Sequence, residues 1–589
     1  MKHLTSKHQL QLQDAYAYHQ AGNLEEAVAR FAELHELYPE NARLLTALGT
    51  VAMQLGMTGE AVRFFEKSIE IEPDQPTVLS NWGVGLARFG SFEKAVLCYD
   101  KAVKLQPDYA AAYNNRGIAL REMRRDDEAL ASYDLAIKHK PDYAEAHYNR
   151  GNLLIGRGNK EMALASYDRA ITLNPSYVQA YVNRGNVLKE LKRFDEALVS
   201  YDRAIALAPD YAEAYDNRGT VLKELGQIEA SLASYDRAIA LDPAYAAAYN
   251  NRGIALQAVG RFDEALRSYQ RALEVDSSYA PAQWSIALLK LLEGDYTEGW
   301  KMYEWRWQDT QKSALRVFPQ PLWLGEVSLL AKTLLIHGEQ GLGDDIQFCR
   351  YALLAVAQGA EVILEVPSAL VTLMKTLGPH ICVVKNGDAT PATDYQCPAM
   401  SLPLAFKTTM ANIPAKVPYL FADSAKIQQW QKRLGEKTLP RVGLVWSGRP
   451  EHKNDHNRSI PLKLLEGILQ LPMEFHALQK EVRNEDASLL QQFDCLHWHG
   501  EELQDFTDTA ALIDVMDVVI SVDTSVAHLA GALNKPVWVL LPFLPDFRWM
   551  LERTDSPWYP SARLFRQRAP GGWKDVIEGV EAALRGRTQ

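Results

Sequence analysis

Three stretches in the second half of the chain carry residue types that could do chemistry. The first is His337-Gly338-Glu339-Gln340-Gly341-Leu342-Gly343-Asp344-Asp345-Ile346, directly after the apolar run Thr333–His337. Gly341 and Gly343, with Gln340 between strand and helix, form a glycine loop whose backbone can turn tightly and approach a ligand. A helix starting there favours an anion or a carboxylate at its N-terminus. No Gly-Lys-Ser/Thr follows, which excludes a P-loop, and the glycine spacing is not that of a dinucleotide fingerprint. Asp345 reads as a helix cap. Asp344 has two readings, a cap or a general base.

The second stretch is Ser521-Val522-Asp523-Thr524-Ser525-Val526-Ala527-His528-Leu529-Ala530-Gly531. A buried strand ends at Asp523 and a small-residue helix begins at Thr524. The amides of Thr524 and Ser525, their hydroxyls and the helix dipole could together receive a diphosphate. The competing readings are N-capping for Asp523 and Thr524 and a core position for His528. The third stretch runs from Trp446-Ser447-Gly448 to Asn457-Arg458-Ser459-Ile460-Pro461: a strand end, a polar loop and a helix start. Arg458 could neutralise charge on a departing group, or could simply be solvated. Gln479 and Glu481 follow the run Glu474–Leu478, where a ribose or base could lie. His452 and His456 are four apart but sit in a loop without an evident third ligand, so no metal site is expected.

These stretches need strands and helices to hold them. After residue 330, short Val/Ile/Leu runs alternate with helical stretches, which reads as parallel α/β. Strands are expected at Thr333–His337, Glu361–Pro367, Ile381–Lys385, Val442–Trp446, Glu474–Leu478, Val518–Val522 and Val537–Leu541. The region divides near 425–440 into two Rossmann-like halves, 331–425 and 426–589, which suggests a GT-B glycosyltransferase with ligand between them.

The motifs sharpen this. Gly343-Asp344-Asp345-Ile346 resembles the Gly-Asp-x-Ile element of family 9 glycosyltransferases, the bacterial heptosyltransferase group. Asp523-Thr524-Ser525, His528 and Ala530 are similar to that family's Asp-Thr-(Gly/Ser)-x-x-His-x-Ala signature, within an extended match from Asp514 to Pro536. The resemblance implies that Asp344 deprotonates the acceptor hydroxyl and that Arg458 faces the departing diphosphate. It also implies a donor site of Ser447, Gly448, Arg458, Gln479, Asp523, Thr524, Ser525 and His528.

The first half keeps a 34-residue beat: Pro39 to Pro243, Gly49 to Gly253, and small residues from Ala61 through Ser231 to Ala265. The beat resembles the tetratricopeptide repeat (TPR), a helix-turn-helix that buries its apolar face only by stacking on neighbours. An all-α TPR superhelix of about eight repeats is expected over 1–277, with a degenerate repeat and junction over 278–330. Tyr99, Tyr133, Tyr167, Tyr201, Tyr235 and Tyr269 read as packing residues. Trp284, Trp300, Trp305 and Trp307 read as a docking surface for the next domain. Asn81, Asn115, Asn149, Asn183, Asn217 and Asn251 each stand two residues before a glycine. Their amides could hold an extended peptide or bond between repeats, and similar asparagines in the O-GlcNAc transferase family line a concave face that holds acceptor protein.

The net charge of −11 argues against a nucleic-acid partner. No apolar run is long enough for a signal peptide or a bilayer span. Five scattered cysteines fit reduced thiols and a cytoplasmic location. The expectation is therefore an inverting, metal-independent glycosyltransferase. It would move a sugar from a nucleotide sugar, with no separate cofactor, to Ser/Thr of a protein recruited by the repeats. Flagellin is a candidate acceptor by analogy with related bacterial systems. The alternatives are a transferase acting on lipopolysaccharide or another glycan, and a non-catalytic scaffold with a relic transferase domain.

Overall fold

The computed structural model describes residues 5–308, 316–452 and 454–587. The chain forms two compact units, Met1–Asp242 and Pro243–Gln589.

The first unit holds fourteen helices, from Ser6–Gln20 to Ile228–Leu241, in the pairs that the repeat predicts. One pair, Ala144–Gly156 and Lys160–Leu173, shows why this sequence folds so. Ala146, Ala163 and Ala170 are fully buried, which brings the helices close. A Cβ added at Gly151 would lie 2.7 Å from the Tyr167 ring, so the glycine exists to seat that ring. The same fit recurs at Gly83/Tyr99, Gly117/Tyr133, Gly185/Tyr201 and Gly219/Tyr235, confirming the tyrosines as packing residues. Pro175 stands just beyond Leu173, where the chain must leave the helix.

A second ladder was not expected. Arg116, Arg150, Arg184 and Arg218 each donate from Nε to an aspartate one helix back (Asp100, Asp134, Asp168, Asp202). Each also donates from Nη1 to a serine one helix on (Ser132, Ser166, Ser200, Ser234). The forked guanidinium thus ties three successive helices together.

The second unit begins with Ala246–Ala258 and Phe262–Val275. It continues with a degenerate pair, Ala280–Glu293 and Tyr296–Tyr303, and a short turn, Glu304–Trp307. Trp300 is buried edge-on against Phe348 and Phe547, and the Trp558 indole donates to Tyr296 OH at 3.0 Å. The expected docking role therefore falls on Trp300. Trp284 packs on Tyr303, and Trp305 and Trp307 are half-buried. The expected junction runs partly through residues 309–315, which lie outside the described ones. From Pro321 it pairs with the edge of the first sheet through Gln396.

That sheet has four parallel strands: β1 (Thr333–His337), β2 (Glu361–Val366), β3 (Ile381–Lys385) and β4 (Tyr395–Pro398), in the order β3-β2-β1-β4. The second has six: β5 (Arg441–Val445), β6 (Glu474–Ala477), β7 (Leu496–Trp498), β8 (Val518–Val522), β9 (Val537–Leu541) and β10 (Ala562–Arg566). All are parallel, in the order β10-β9-β8-β5-β6-β7. Strand order reverses between β1 and β4 and between β5 and β8. At such switch points a crevice opens at the carboxyl ends of the strands. The sequence missed β4, β7 and β10, all edge strands. They are short or carry polar residues, so they lack the doubly buried apolar run that marks β5, β8 and β9. No helix among the described residues is long and apolar enough to cross a membrane.

Within each repeat of the first unit the turn between the two helices holds a residue in the left-handed region: Gly22, Gly56, Gly90, Gly158 and Gly226 supply it. In two repeats Arg124 (φ 59°) and Lys192 (φ 58°) must adopt it instead. A side chain there costs roughly 1–2 kcal/mol, part of which glycine loses again to unfolded-chain entropy. The double variant Arg124→Gly/Lys192→Gly should raise the Tm of the repeat unit by a few degrees in a circular-dichroism melt. An unchanged or lower Tm would show that these turns are not strained.

Candidate functional site

All three chemistry-bearing stretches lie at carboxyl ends of strands beside the two switch points: after β1, after β5 and after β8.

The β1 stretch is anchored from behind. Arg306 pairs with Glu339 through both nitrogens of its fork (3.0 and 3.2 Å), and Gln340 donates to Tyr303 OH at 3.0 Å. His337 is held to Gln396 at 2.8 Å, and burial lowers its pKa and keeps it neutral. At the start of the helix Leu342–Phe348, Asp344 makes the capping contact, because Gly341 N–H donates to its Oδ2 at 2.7 Å. The capping expectation for Asp345 is corrected: its carboxyl is buried against Gly338, where a Cβ would come within 2.4 Å of Oδ1. Burial, then the neighbouring Asp344 and Glu339, push its pKa well up. Asp345 fits too tightly behind the loop to serve as the exposed end of a cap.

The β8 stretch crosses it. The helix Ser525–Ala532 packs on Leu342–Phe348 so closely that a Cβ on Gly343 would lie 2.9 Å from His528. His528 is buried on the Trp549 ring, with Nδ1 3.1 Å from Tyr559 OH and Nε2 3.8 Å from Asp523. Burial, then Arg548 and further arginines, depress its pKa and hold it neutral. This is the core position of its two readings. Thr524 caps the helix without a side-chain capping bond; its hydroxyl lies 3.1 Å from Ser521 Oγ. Ser525, half-buried beside it, makes no side-chain hydrogen bond among the described residues.

The β5 stretch reaches the same point. From the turn Asp455–Arg458, Arg458 Nη1 donates to the Asp523 carbonyl at 2.9 Å, while its buried Nε lies 3.6 Å from Asp455 Oδ1, an ion pair too long for a hydrogen bond. Gly448 leaves room for the guanidinium: a Cβ there would lie 2.5 Å from Arg458 Nη2, so the arginine would have to move aside. Asp455 is held by Arg483 and by Ser459 Oγ (2.9 Å), and Ser459 also accepts from Gly448 N–H. Gln479 is a tie between strands: its Oε1 accepts from Trp446 N–H at 3.1 Å, and its Nε2 donates to Ser447 Oγ and the Glu481 carbonyl. Among the described residues, no group of three His, Cys, Asp or Glu is arranged to hold a metal.

Sequence reasoning missed Arg548, which joins these parts. It rises from the turn Phe547–Trp549 after β9, is 7% exposed, and pairs with both Asp344 and Asp546. Its guanidinium lies 4.6 Å from the centre of the Phe547 ring, and its Nε also lacks an acceptor among the described residues. The available signal was positional: Asp546-Phe547-Arg548-Trp549 follows the carboxyl end of a buried strand.

The asparagines lie apart, in the repeats. Asn149 donates to Asn114 Oδ1 (3.0 Å), Asn183 to Asn152 Oδ1 (2.9 Å), and Asn217 accepts from Lys189 (2.8 Å). These three therefore bond to neighbouring repeats. Asn81, Asn115 and Asn251 are half-buried on their helices.

Asp523 sits where the charges meet. Burial, then Asp546, push its pKa up to about 6, against Arg548 and Arg458. A raised carboxyl contributes stability that is fully present below its unfolded pKa and is lost as pH rises through the folded one. Asp523→Asn should therefore stabilise the protein at pH 7.5, by about 2–3 kcal/mol at most. The gain should fade between pH 6 and pH 4. Thermal melts across that range check it; a gain independent of pH would contradict this electrostatic account.

Known proteins resemble the two parts separately. Tetratricopeptide-repeat profiles match residues 18–80, 86–158, 144–177, 185–260 and 246–279, so the N-terminal helices form a TPR superhelix. A profile for glycosyltransferase family 9 (heptosyltransferase) matches residues 501–541, which span β8 and its motif. Protein FlbA of Caulobacter vibrioides is 28% identical over 333 residues, 51% of this chain and 54% of that protein. The chain thus spans about half the length of this curated relative. Among solved structures, YrrB, described as a TPR protein with an unusual peptide-binding site, is 26% identical (TM-score 0.28) and covers 31% of this chain and 95% of its own. A tetratricopeptide repeat protein from Parabacteroides merdae is 18% identical (TM-score 0.35), covering 43% of this chain and all of its own.

Proposed function

We propose that this protein is an inverting, metal-independent GT-B glycosyltransferase that moves a sugar from a nucleotide-sugar donor to a Ser/Thr hydroxyl of a protein acceptor. The observation that carries the reading is the convergence of four strand-end loops, those after β1, β5 and β8 at the switch points and the one after β9 beside them. They bring together a helix N-terminus with Thr524 and Ser525, the guanidiniums of Arg458 and Arg548, and the carboxylate of Asp344; the buried Arg548 Nε has no hydrogen-bond acceptor among the described residues. Guanidinium donors beside the amides of a helix start suit a diphosphate. The family 9 match over the β8 stretch supports the same assignment.

In this mechanism the acceptor oxygen attacks the anomeric carbon from the side opposite the diphosphate, and its proton passes to Asp344. The bond to phosphate breaks, and the nucleoside diphosphate leaves with the electron pair. Arg458 and the amides of the helix Ser525–Ala532 stabilise the charge that develops on it. The TPR superhelix would raise the local concentration of acceptor polypeptide, flagellin being one candidate.

A glycan acceptor is the second reading. It is favoured by the bonds that Asn149, Asn183 and Asn217 already make within the superhelix, which leave less of their amide capacity for a peptide.

Thermal shifts with UDP, ADP, GDP, CDP and CMP test the donor site. A nucleotide at a hundred times its Kd should stabilise the protein by about 2.7 kcal/mol, and Arg458→Ala should abolish the shift. Silence toward all five at millimolar concentration would favour a scaffold with a relic domain. With the donor identified, Asp344→Asn should keep nucleotide binding and lose turnover roughly 10²–10⁴-fold, the usual range for a general base. Turnover within a few-fold of wild type would remove Asp344 from that role.

A further inference from the structure

We infer that Arg548 is a latch on Asp344 that the donor diphosphate opens, so that the base is released only after the donor is bound. The inference rests on the donor-site reading above.

Both oxygens of Asp344 are occupied. Oδ2 accepts from Gly341 N–H, and Oδ1 is paired with Arg548. A carboxylate oxygen already held by a buried cation is not open to an incoming hydroxyl, because that approach sacrifices the pair. Arg548 is shared rather than dedicated. Its Nη1 donates to Asp546 at 2.8 Å, and its buried Nε has no acceptor among the described residues. It stands on the turn after β9, the neighbour of β8, and β8 ends in the helix whose N-terminus is the candidate diphosphate site. Its chain neighbour Trp549 stacks on His528, whose Nε2 lies 3.8 Å from Asp523, so the Arg548 turn already packs against the β8 stretch. An incoming diphosphate would therefore compete directly with Asp344 for this guanidinium.

The competition favours the diphosphate, which carries more charge and presents a matching pair of oxygens to the fork. When Arg548 turns to it, Asp344 keeps the contact with Gly341 and gains a free oxygen for the acceptor hydroxyl. Arg548 is thus a positioning residue that acts through Asp344. The order donor first, acceptor second follows from the geometry.

The test is a double-mutant cycle on the full-length protein, read by calorimetric titration with inorganic pyrophosphate at pH 7.5 and 0.15 M salt. Asp344→Asn removes the competitor and should tighten pyrophosphate binding roughly 5–20-fold. Arg548→Gln should weaken it at least tenfold. In the Arg548→Gln background, Asp344→Asn should change nothing further, because the coupling passes through Arg548. If Asp344→Asn tightens binding by the same factor in both backgrounds, its effect is plain charge repulsion and the latch is overturned. No tightening in the wild-type background overturns it as well. Both results leave the donor site standing, whereas no pyrophosphate binding by wild type would remove the donor site and the latch together. If Arg548→Gln does not fold, Arg548→Lys keeps the charge without the fork. There the effect of Asp344→Asn should shrink at least threefold, and an undiminished effect would overturn the latch.

Discussion

A guanidinium that is 7% exposed must recover the hydration it has lost, and around Arg548 the recovery comes from groups on both sheets' connections. Asp344 arrives from the loop after β1, Asp546 and Phe547 from the loop after β9, and Phe348 from the helix that Asp344 begins. Removing either carboxylate would leave a buried charge poorly matched, which is far costlier than never having buried it. The close crossing of the two motif helices at Gly343 and His528 delivers Asp344 to the arginine. The neutral state of His528 follows from the positive field of Arg548 after burial itself.

The repeats rest on a simpler constraint. From Tyr99 to Tyr269 each tyrosine ring occupies the volume where the paired helix would carry a Cβ, so ring and glycine appear together in those repeats. Specificity between repeats is polar instead. The arginine forks join three helices at fixed spacing, and the asparagine bonds between repeats reinforce the same register.

Much of this was legible in the sequence because it repeats or because it is apolar on both faces. The 34-residue beat gave the helices, and the doubly buried runs gave the central strands. Three of the four edge strands, β4, β7 and β10, were lost because they are short or polar, whereas the edge strand β3 was legible in its apolar Ile-Cys-Val-Val run. The site was legible where a glycine or a small residue preceded a helix, as at Gly343-Asp344 and Asp523-Thr524. It was illegible at Arg548, whose importance lies in partners 2 and 204 residues away along the chain. Asp344 and Asp345 illustrate the limit of adjacency: one side chain faces the crevice and its neighbour is buried behind the loop, a difference set by helix rotation and not by residue type.

The anchoring of the glycine loop by Arg306 and Tyr303, with Trp300 seated on Phe348 and Phe547, bears on how such a chain could be recombined. By residue pattern Ala280–Trp307 is the tail of a helical array; by packing it is part of the α/β core. An exchange of arrays between proteins of this design would have to break the chain before Ala280, leaving that tail with the sheets it supports. Within the first unit, whole 34-residue units could be gained or dropped, since from Arg116 to Arg218 each repeat ties its arginine to an aspartate of the one before. The unit of inheritance for the candidate site is therefore longer than the α/β region alone, and it includes one helical pair that a motif-based boundary would assign to the wrong side.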